Sequence, residues 1–117
     1  MASLRTTGTM TCAPGDLAEV ESIFRTFIAH VRANEPGVLT YHYFVDDGDP
    51  VVIHVIEEYA DADVMVEHFA NLPDDVGRLL QLVTLGPMHF YGETTPALET
   101  TLAPFGDIRY HRPLASI

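Results

Sequence analysis

One stretch decides the fold of this chain: Val51-Val-Ile-His-Val-Ile-Glu-Glu-Tyr-Ala-Asp-Ala-Asp-Val-Met-Val-Glu-His-Phe-Ala-Asn-Leu72. Its first six residues are mostly β-branched, which predicts a strand that is apolar on both faces. Asp61 can then cap a helix whose apolar positions recur every three or four residues. His68 lies on that apolar stripe, while Glu57 and Tyr59 share one face at the end of the strand. We therefore expect a carboxylate, a phenol and an imidazole to converge where strand and helix meet.

The residues before this stretch predict two further strands and one long helix. Strands are expected at residues 5–12 and 38–45, and apolar positions at helical spacing predict a helix over residues 17–34. Asp16, with Glu19 three residues on, resembles a capping box. The loop after the second strand predicts a hairpin. Closing that hairpin symmetrically about Gly48 would place His42 directly opposite His54.

The residues after the stretch predict a second helical segment from about Pro73, a strand at 84–92, and a short helix that opens at Thr95-Pro96. A last short strand is expected in the tail. The order matches the ferredoxin-like α+β pattern, an antiparallel sheet with helices on one face. We expect a single domain over residues 1–117, with a core at about 5–93 and the added helix and strand at about 95–115. Since the chain is too short to cover both faces of the sheet, we predict that a second subunit covers the other, giving a homodimer.

The composition excludes several classes of partner. The chain has 117 residues, 47% of them hydrophobic, and its 6 basic and 17 acidic side chains give a formal charge of −11. That charge argues against nucleic acid and anionic membranes. Cys12 is the only cysteine, so an internal disulfide and Cys-rich metal sites are excluded. The N-terminus lacks the apolar core of a signal peptide, and a cytoplasmic location is therefore expected.

The histidine pair His42 and His54 is the most metal-like feature of the sequence. Directly opposed side chains on a sheet lie about 5 Å apart, and two imidazoles can begin a zinc or copper site. Glu58 shares their face by alternation and could be a third ligand. The alternative is a histidine pair on a polar part of the subunit interface, and we predict neither a metal nor a cofactor.

His68 is the main candidate for acid–base chemistry. An imidazole on an apolar stripe either hydrogen-bonds a backbone group in the core or acts as a general base, and the nearby Glu57 could hold its tautomer. His30 lies off the apolar stripe of its helix and is expected to be solvated. The sequence contains no glycine-rich phosphate loop and no Gly-x-Ser-x-Gly nucleophile elbow.

Three motifs resemble the antibiotic biosynthesis monooxygenase (ABM) family, which belongs to the dimeric α+β-barrel superfamily. Pro36-Gly37 precedes the second strand, Glu57-Glu58-Tyr59 ends the third, and Glu67-His68-Phe69 lies on the helix that follows. The resemblance covers about residues 5–93. This sequence departs from the family pattern at the end of the third strand, where Tyr59 replaces the usual tryptophan. It also departs in the first strand, which lacks the asparagine of several oxygenases. Arg78 stands where haem-degrading members have their proximal histidine, so haem degradation is not expected.

The resemblance implies a cofactor-independent monooxygenase that oxidises an aromatic, polyketide or quinol substrate with dioxygen. The implied catalytic residues are His68 as base or proton relay, Glu57 as its orienter, and Tyr59 as a wall or hydrogen-bond partner. Substrate-binding candidates are Tyr41, Tyr43, Met65 and Phe69. Two alternatives stay open: a non-oxidative polyketide cyclase or isomerase that uses the same acid–base pair, and a small-ligand-binding dimer without turnover.

Overall fold

The computed structural model describes residues 3–117 and contains a single mixed sheet with helices packed against it. The strands are β1 (Leu4–Cys12), β2 (Val38–Val45), β3 (Val52–Tyr59), β4 (Val83–Tyr91) and β5 (Ile108–His111). The helices are α1 (Leu17–Asn34), α2 (Ala62–Ala70), α3 (Val76–Leu82) and α4 (Pro96–Leu102). Single turns of 3-10 helix lie at Pro14–Asp16 and Ala103–Phe105. The predicted strands and helices are thus confirmed, with bounds that differ by up to three residues.

The strand order in the sheet is β2-β3-β1-β4-β5. The first four strands pair antiparallel, which confirms the ferredoxin-like α+β prediction. β5 departs from it because it pairs parallel to β4. The reason is α4, which lies between these two strands in the chain and carries it back to the end of the sheet where β4 began.

The side of the sheet that faces the helices carries the core. Along β3, Ile53, Val55, Glu57 and Tyr59 are buried in strict alternation. One apolar cluster joins β3 to α1 and α3, with Val20, Phe24 and Leu79 among its members. A second cluster joins Leu4, Tyr59, Met65, Phe90, Leu98 and Leu102, and so packs α2 and α4 onto the strands. The long inner stripe of α1 is buried as its periodicity predicts.

The opposite side of the sheet, here called the outer face, stays open in the described part of the chain. It presents large apolar side chains, among them Phe44 (51% exposed), Ile56 (43%) and Tyr91 (42%). Their neighbours on this face include Arg5, His54 and Glu58. No helix within residues 3–117 is long and apolar enough to cross a bilayer.

The register of the hairpin between β2 and β3 differs from the prediction by two residues. His54 lies opposite Phe44, and His42 lies opposite Ile56. The two histidines are therefore not directly opposed. The turn is centred on Asp49 because the Asp46 carboxylate accepts hydrogen bonds from the backbone N–H groups of Gly48 and Asp49.

The predicted capping box at Asp16 is wrong, whereas the two other predicted helix starts have side-chain caps. The Asp16 side chain makes no cap hydrogen bond, because the preceding 3-10 turn leaves this residue with helical backbone angles. Asp61 accepts from the N–H of Val64 at 2.9 Å. Thr95 accepts from the N–H of Leu98 at 3.2 Å.

Candidate functional site

A cavity of about 90 Å³ lies between the sheet and the helices. Its ionisable lining residues are Tyr41, Tyr43, Glu57 and His68, and no lysine or arginine of the described chain lines it. The lining residues that follow His68 in the chain are all apolar: Phe69, Leu72, Val76, Leu79, Leu80, Leu85, Met88 and Phe105. The cavity therefore combines a small polar group with a largely apolar wall, which is typical of small-molecule sites.

His68 is placed in the cavity wall by α2, whose first turn is fixed by the Asp61 cap. The side chain is only 4% exposed, and Nδ1 lies 2.8 Å from Glu35 Oε1. The other ring nitrogen, Nε2, makes no hydrogen bond within residues 3–117. Because an ionised carboxylate can only accept, a neutral imidazole in this contact carries its proton on Nδ1 and its lone pair on Nε2.

Glu35 is held at the end of α1 by its own backbone. Its N–H donates to Val31 O at 2.9 Å, and its carbonyl accepts from the N–H of Val38 at 3.1 Å. Its side chain is 12% exposed, and Oε2 lies 3.5 Å from Nε2 of His30. His30 is thus half-buried rather than solvated, because the turn into β2 folds Glu35 over this part of α1. Both atoms, His30 Nε2 and Glu35 Oε2, are buried without a hydrogen-bond partner among the described residues.

Glu57 carries a buried carboxyl group at the end of β3. Burial raises its pKa above the ordinary value, although the hydrogen bond from Tyr59 and the nearby His68 act in the opposite direction. The hydroxyl of Tyr59 donates to Glu57 Oε1. Burial, with the neighbouring Glu57, raises the pKa of Tyr59 well above its ordinary value. Burial therefore makes ionisation of Glu57 harder than that of an exposed glutamate.

Two tyrosines extend the polar group along β2. Tyr43 donates from its hydroxyl to the Tyr41 hydroxyl at 2.8 Å, and its ring stacks on Phe24. Burial raises the pKa of both phenols, so both keep their protons. Since Tyr41 accepts from Tyr43, its own O–H is left to donate to another group. The Tyr41 ring lies 5.3 Å from that of His68, centroid to centroid.

The structure brings most of the predicted site residues together. His68, Glu57, Tyr41, Tyr43 and Phe69 all line the cavity. Tyr59 does not line it, and it reaches the site through its hydrogen bond to Glu57.

Two sequence-based expectations differ from the structure: the position of Met65 in the cavity and the orienting role of Glu57. Met65 is fully buried in the cluster between α2 and α4, one helical turn from His68, and faces the core instead of the cavity. Glu57 makes no hydrogen bond to His68 in the described chain; its carboxyl group accepts one from the Tyr59 hydroxyl instead. The carboxylate in contact with His68 is Glu35.

Sequence reasoning missed Glu35 and His30. Both sit near the C-terminus of α1, and their approach to His68 depends on how the Pro36-Gly37 turn leads into β2. The sequence held only a weak signal for them: Glu35 lies directly before the Pro36-Gly37 motif and five residues after His30.

The histidines of the described chain do not form a metal centre with other ligating side chains. Within residues 3–117 no three or more His, Cys, Asp or Glu side chains are grouped to hold an ion. The His42 and His54 pair is separated by the hairpin register described above. His89 and His111 do meet on the outer face, Nδ1 to Nε2 at 2.9 Å, but as a pair only.

The comparisons with known proteins agree with this architecture. Residues 4–73 match the sequence profile of the antibiotic biosynthesis monooxygenase family. That match covers more than half of the chain, from β1 through α2, and the chain therefore belongs to this family. No curated protein sequence matches the chain. Proteins of the family are generally small, dimeric and ligand-binding.

Several solved structures share the fold. MupZ from Pseudomonas fluorescens superposes with a TM-score of 0.80 at 16% identity, covering 100% of this chain and 94% of MupZ. SnoaB from Streptomyces nogalater, a cofactor-independent oxygenase, gives a TM-score of 0.67 at 20% identity, with coverage of 82% and 95%. A Caulobacter crescentus protein, proposed to be an antibiotic biosynthesis monooxygenase, is 26% identical with a TM-score of 0.62, and the match covers 75% of this chain and 84% of that one.

Proposed function

We propose that this chain is a cofactor-independent monooxygenase-like enzyme that oxidises an aromatic, polyketide or quinol substrate with dioxygen. The observation that carries the proposal is the buried His68–Glu35 pair, whose imidazole lines an apolar cavity with Nε2 unengaged. Membership of the family and the shared fold with an oxygenase that works without a cofactor support the choice of reaction.

The first step is removal of a substrate proton by His68. Nε2 accepts the proton of a phenolic or enolic hydroxyl, and the Glu35 carboxylate stabilises the imidazolium that forms. Tyr41 donates its O–H to the developing oxyanion, and the Tyr43 hydroxyl orients Tyr41. The surrounding apolar wall keeps water away from the anion, which leaves it reactive towards dioxygen.

The oxidation then uses electrons from the substrate alone. For an anthrone-type substrate, the carbanion form bonds to one oxygen of dioxygen, and the O–O bond breaks as the carbon becomes a carbonyl. The CH₂ group becomes C=O, and the second oxygen atom leaves as water with the two hydrogens. The proton held by His68 returns to that leaving oxygen, so the base is regenerated within the cavity.

The lining also indicates the kind of substrate. No lysine or arginine among residues 3–117 lines the wall and the Glu35 carboxylate is close by, which disfavours phosphates and carboxylates. A neutral, carbon-rich molecule with an acidic O–H fits best. Because ligand pockets usually measure about 300–1,000 Å³, the cavity must widen to admit it. Leu80 is 44% exposed and lines the cavity, so we place the entrance beside α3.

We also propose that the working unit is a homodimer in which a second copy covers the outer face. Phe44, Ile56 and Tyr91 give that face an apolar surface that no helix of the described chain covers. The generally dimeric character of the family supports this choice of partner.

A second candidate is a non-oxidative polyketide cyclase or isomerase. The observation that favours it is that Glu57 and His68 line the same cavity, with burial raising the pKa of the Glu57 carboxyl group and so favouring its protonated form. Ring closure and isomerisation need such an acid and base together, whereas the oxidation described above needs only the base.

Oxygen uptake distinguishes the two. Purified protein is given a panel of quinols and anthrones with chelator and without added cofactor, and dioxygen consumption is followed for wild type, His68→Ala and the control Glu67→Ala. Glu67 is the exposed neighbour of His68 on α2. We expect uptake above the uncatalysed rate that falls by about 10²-fold or more in His68→Ala only.

Other outcomes would each redirect the assignment. Uptake that survives His68→Ala would reject His68 as the base. Conversion of a substrate without oxygen consumption would favour the cyclase or isomerase. Tight ligand binding without any conversion would indicate a binding protein.

A further inference from the structure

Two buried polar atoms without hydrogen-bond partners face each other behind the proposed base. They are Nε2 of His30 and Oε2 of Glu35, and they lie 3.5 Å apart. Leaving a buried polar atom unsatisfied costs free energy, and such pairs call for an explanation. Here each atom has only the other within reach, and a shift of a few tenths of an ångström would join them.

The contacts around His30 fix which partner donates. The Asn34 amide nitrogen donates to His30 O at 2.9 Å, so the NH₂ side of that amide faces the His30 residue. The same nitrogen lies 3.4 Å from His30 Nδ1. Nδ1 is then the acceptor of the ring, and the ring proton sits on Nε2. That nitrogen lies 3.5 Å from Glu35 Oε2.

Glu35 therefore has an imidazole nitrogen beside each of its carboxylate oxygens. His68 Nδ1–H reaches Oε1, and His30 Nε2–H approaches Oε2. No lysine or arginine within residues 3–117 forms an ion pair with Glu35, so the two imidazoles are its charge-compatible neighbours. Because an ionised carboxylate carries no proton, Oε1 can only accept from His68.

We propose that Glu35 and His30 are positioning residues that together hold His68 in its Nδ1–H tautomer. The inference rests on the proposed role of His68 as base. Glu35 acts directly, and His30 acts through Glu35 by fixing the carboxylate against rotation. In the opposite tautomer the proton would sit on Nε2, in the cavity, and His68 would have no lone pair to offer a substrate.

Histidine ring NMR tests the proposal without any substrate. Protein labelled with ¹⁵N in its imidazoles is examined at mildly alkaline pH by long-range ¹H–¹⁵N correlation, which distinguishes the two tautomers. The signals of His68 and His30 are assigned by their loss in His68→Gln and His30→Gln. In wild type we expect His68 with the proton on Nδ1 and His30 with the proton on Nε2.

Variants then separate positioning from mere structural support. Glu35→Gln keeps the shape of the side chain but can donate from its amide, and we expect His68 to move to the Nε2–H tautomer or to a mixture. His30→Gln retains an N–H donor and should preserve the tautomer of His68, whereas His30→Leu should shift it partly. His42→Gln, on the outer face, is the control that should leave the His68 signal unchanged.

Several results would overturn the proposal. They are a wild-type His68 that is protonated on Nε2, a doubly protonated His68, a His68 signal unaffected by Glu35→Gln, and His30→Leu indistinguishable from wild type. The proposed function fails separately, if wild type shows the expected tautomers but consumes no oxygen with any substrate. Where uptake is found, Glu35→Gln should lower kcat/KM about tenfold or more in parallel with the loss of the tautomer.

Discussion

At the scale of single residues, Glu57 and Glu58 show how the faces of one strand give adjacent carboxyl groups opposite properties. Glu57 points into the core, and burial raises its pKa. Glu58 points to the outer face, where hydrogen bonds from Arg5 and Ser3 lower its pKa. The chemistry of the site therefore depends on strand alternation as much as on residue type.

The pH dependence of stability should reveal the buried carboxyl group. In the unfolded chain Glu57 has the ordinary pKa of 4.5, so it loses its proton as pH rises above that value. In the folded protein the raised pKa lets Glu57 keep the proton to a higher pH. The folded state then binds more protons, so the wild type loses stability relative to Glu57→Gln between pH 4.5 and the raised pKa. Urea unfolding of both proteins across this range measures the difference.

Glu58→Gln is the matched control and should show the opposite sign. Its folded pKa lies below 4.5, so the wild type gains stability relative to this variant as pH rises towards 4.5 and loses it as pH falls through the lowered pKa. Parallel pH profiles for the two variants would contradict the assignment of Glu57 as a desolvated acid.

The sequence predicts individual site residues when a simple period positions them. His68 follows from helical spacing, and Glu57, Tyr41 and Tyr43 follow from strand alternation. Glu35 could not be found in this way, because it lies outside any period and reaches His68 only after a turn has folded. The partner of the proposed base is therefore a tertiary feature.

At the scale of elements, the two predicted aspartate caps give a direct comparison of sequence and structure. The Asp61 carboxylate accepts from the N–H of Val64, whereas the Asp16 side chain caps nothing. Asp61→Ala should lower the free energy of unfolding by about 1 kcal/mol, and Asp16→Ala should lower it far less. Chemical denaturation of the two variants measures both values, and equal losses would mean that the caps do not differ.

The entry into β2 depends on the absence of a side chain at Gly37. A Cβ atom at this position would lie 2.8 Å from a methyl carbon of Val64, so α2 and the start of β2 pack too closely for alanine. Gly37→Ala should therefore destabilise the protein by about 1–3 kcal/mol. Thermal unfolding gives the measurement, and a neutral effect would show that α2 can move aside.

Gly77 is the control for Gly37 because it lies within α3 and a Cβ atom there would contact nothing within 4 Å. Alanine is the better helix former, so Gly77→Ala should stabilise by about 0.5–1 kcal/mol. The two substitutions should thus shift the unfolding temperature in opposite directions.

Helix and strand positions were predictable because residue periodicity determines them locally, but pairing between strands was not. The register of β2 against β3 is decided by the hydrogen bonds of the Asp46 carboxylate in the turn, which moved the centre of the hairpin from Gly48 to Asp49. The direction of β5 likewise depends on where α4 packs, and its four residues alone carry no such information.

At the scale of the whole molecule, the proposed dimer predicts that the outer face controls the oligomeric state. We expect wild type to have the mass of a dimer by light scattering, and Ile56→Arg to shift it to monomer because a charge would be buried within the proposed interface. Leu80→Arg is the control, since Leu80 is equally exposed but lies beside the cavity. A monomeric wild type would contradict the proposal, as would a dimer that tolerates Ile56→Arg.

The ionisable residues of the cavity wall and much of its apolar lining come from different parts of the chain, which bears on how the substrate range of such proteins changes. All its ionisable residues lie between Tyr41 and His68, while every lining residue after His68 is apolar. The segment after His68 therefore contributes only to the shape of the cavity, and the polar side chains all come from before it. A chimaera that keeps the first 68 residues and takes its remaining sequence from a relative would retain the proposed base and replace the apolar wall after it, so recombination near the end of α2 would test whether that wall selects the substrate.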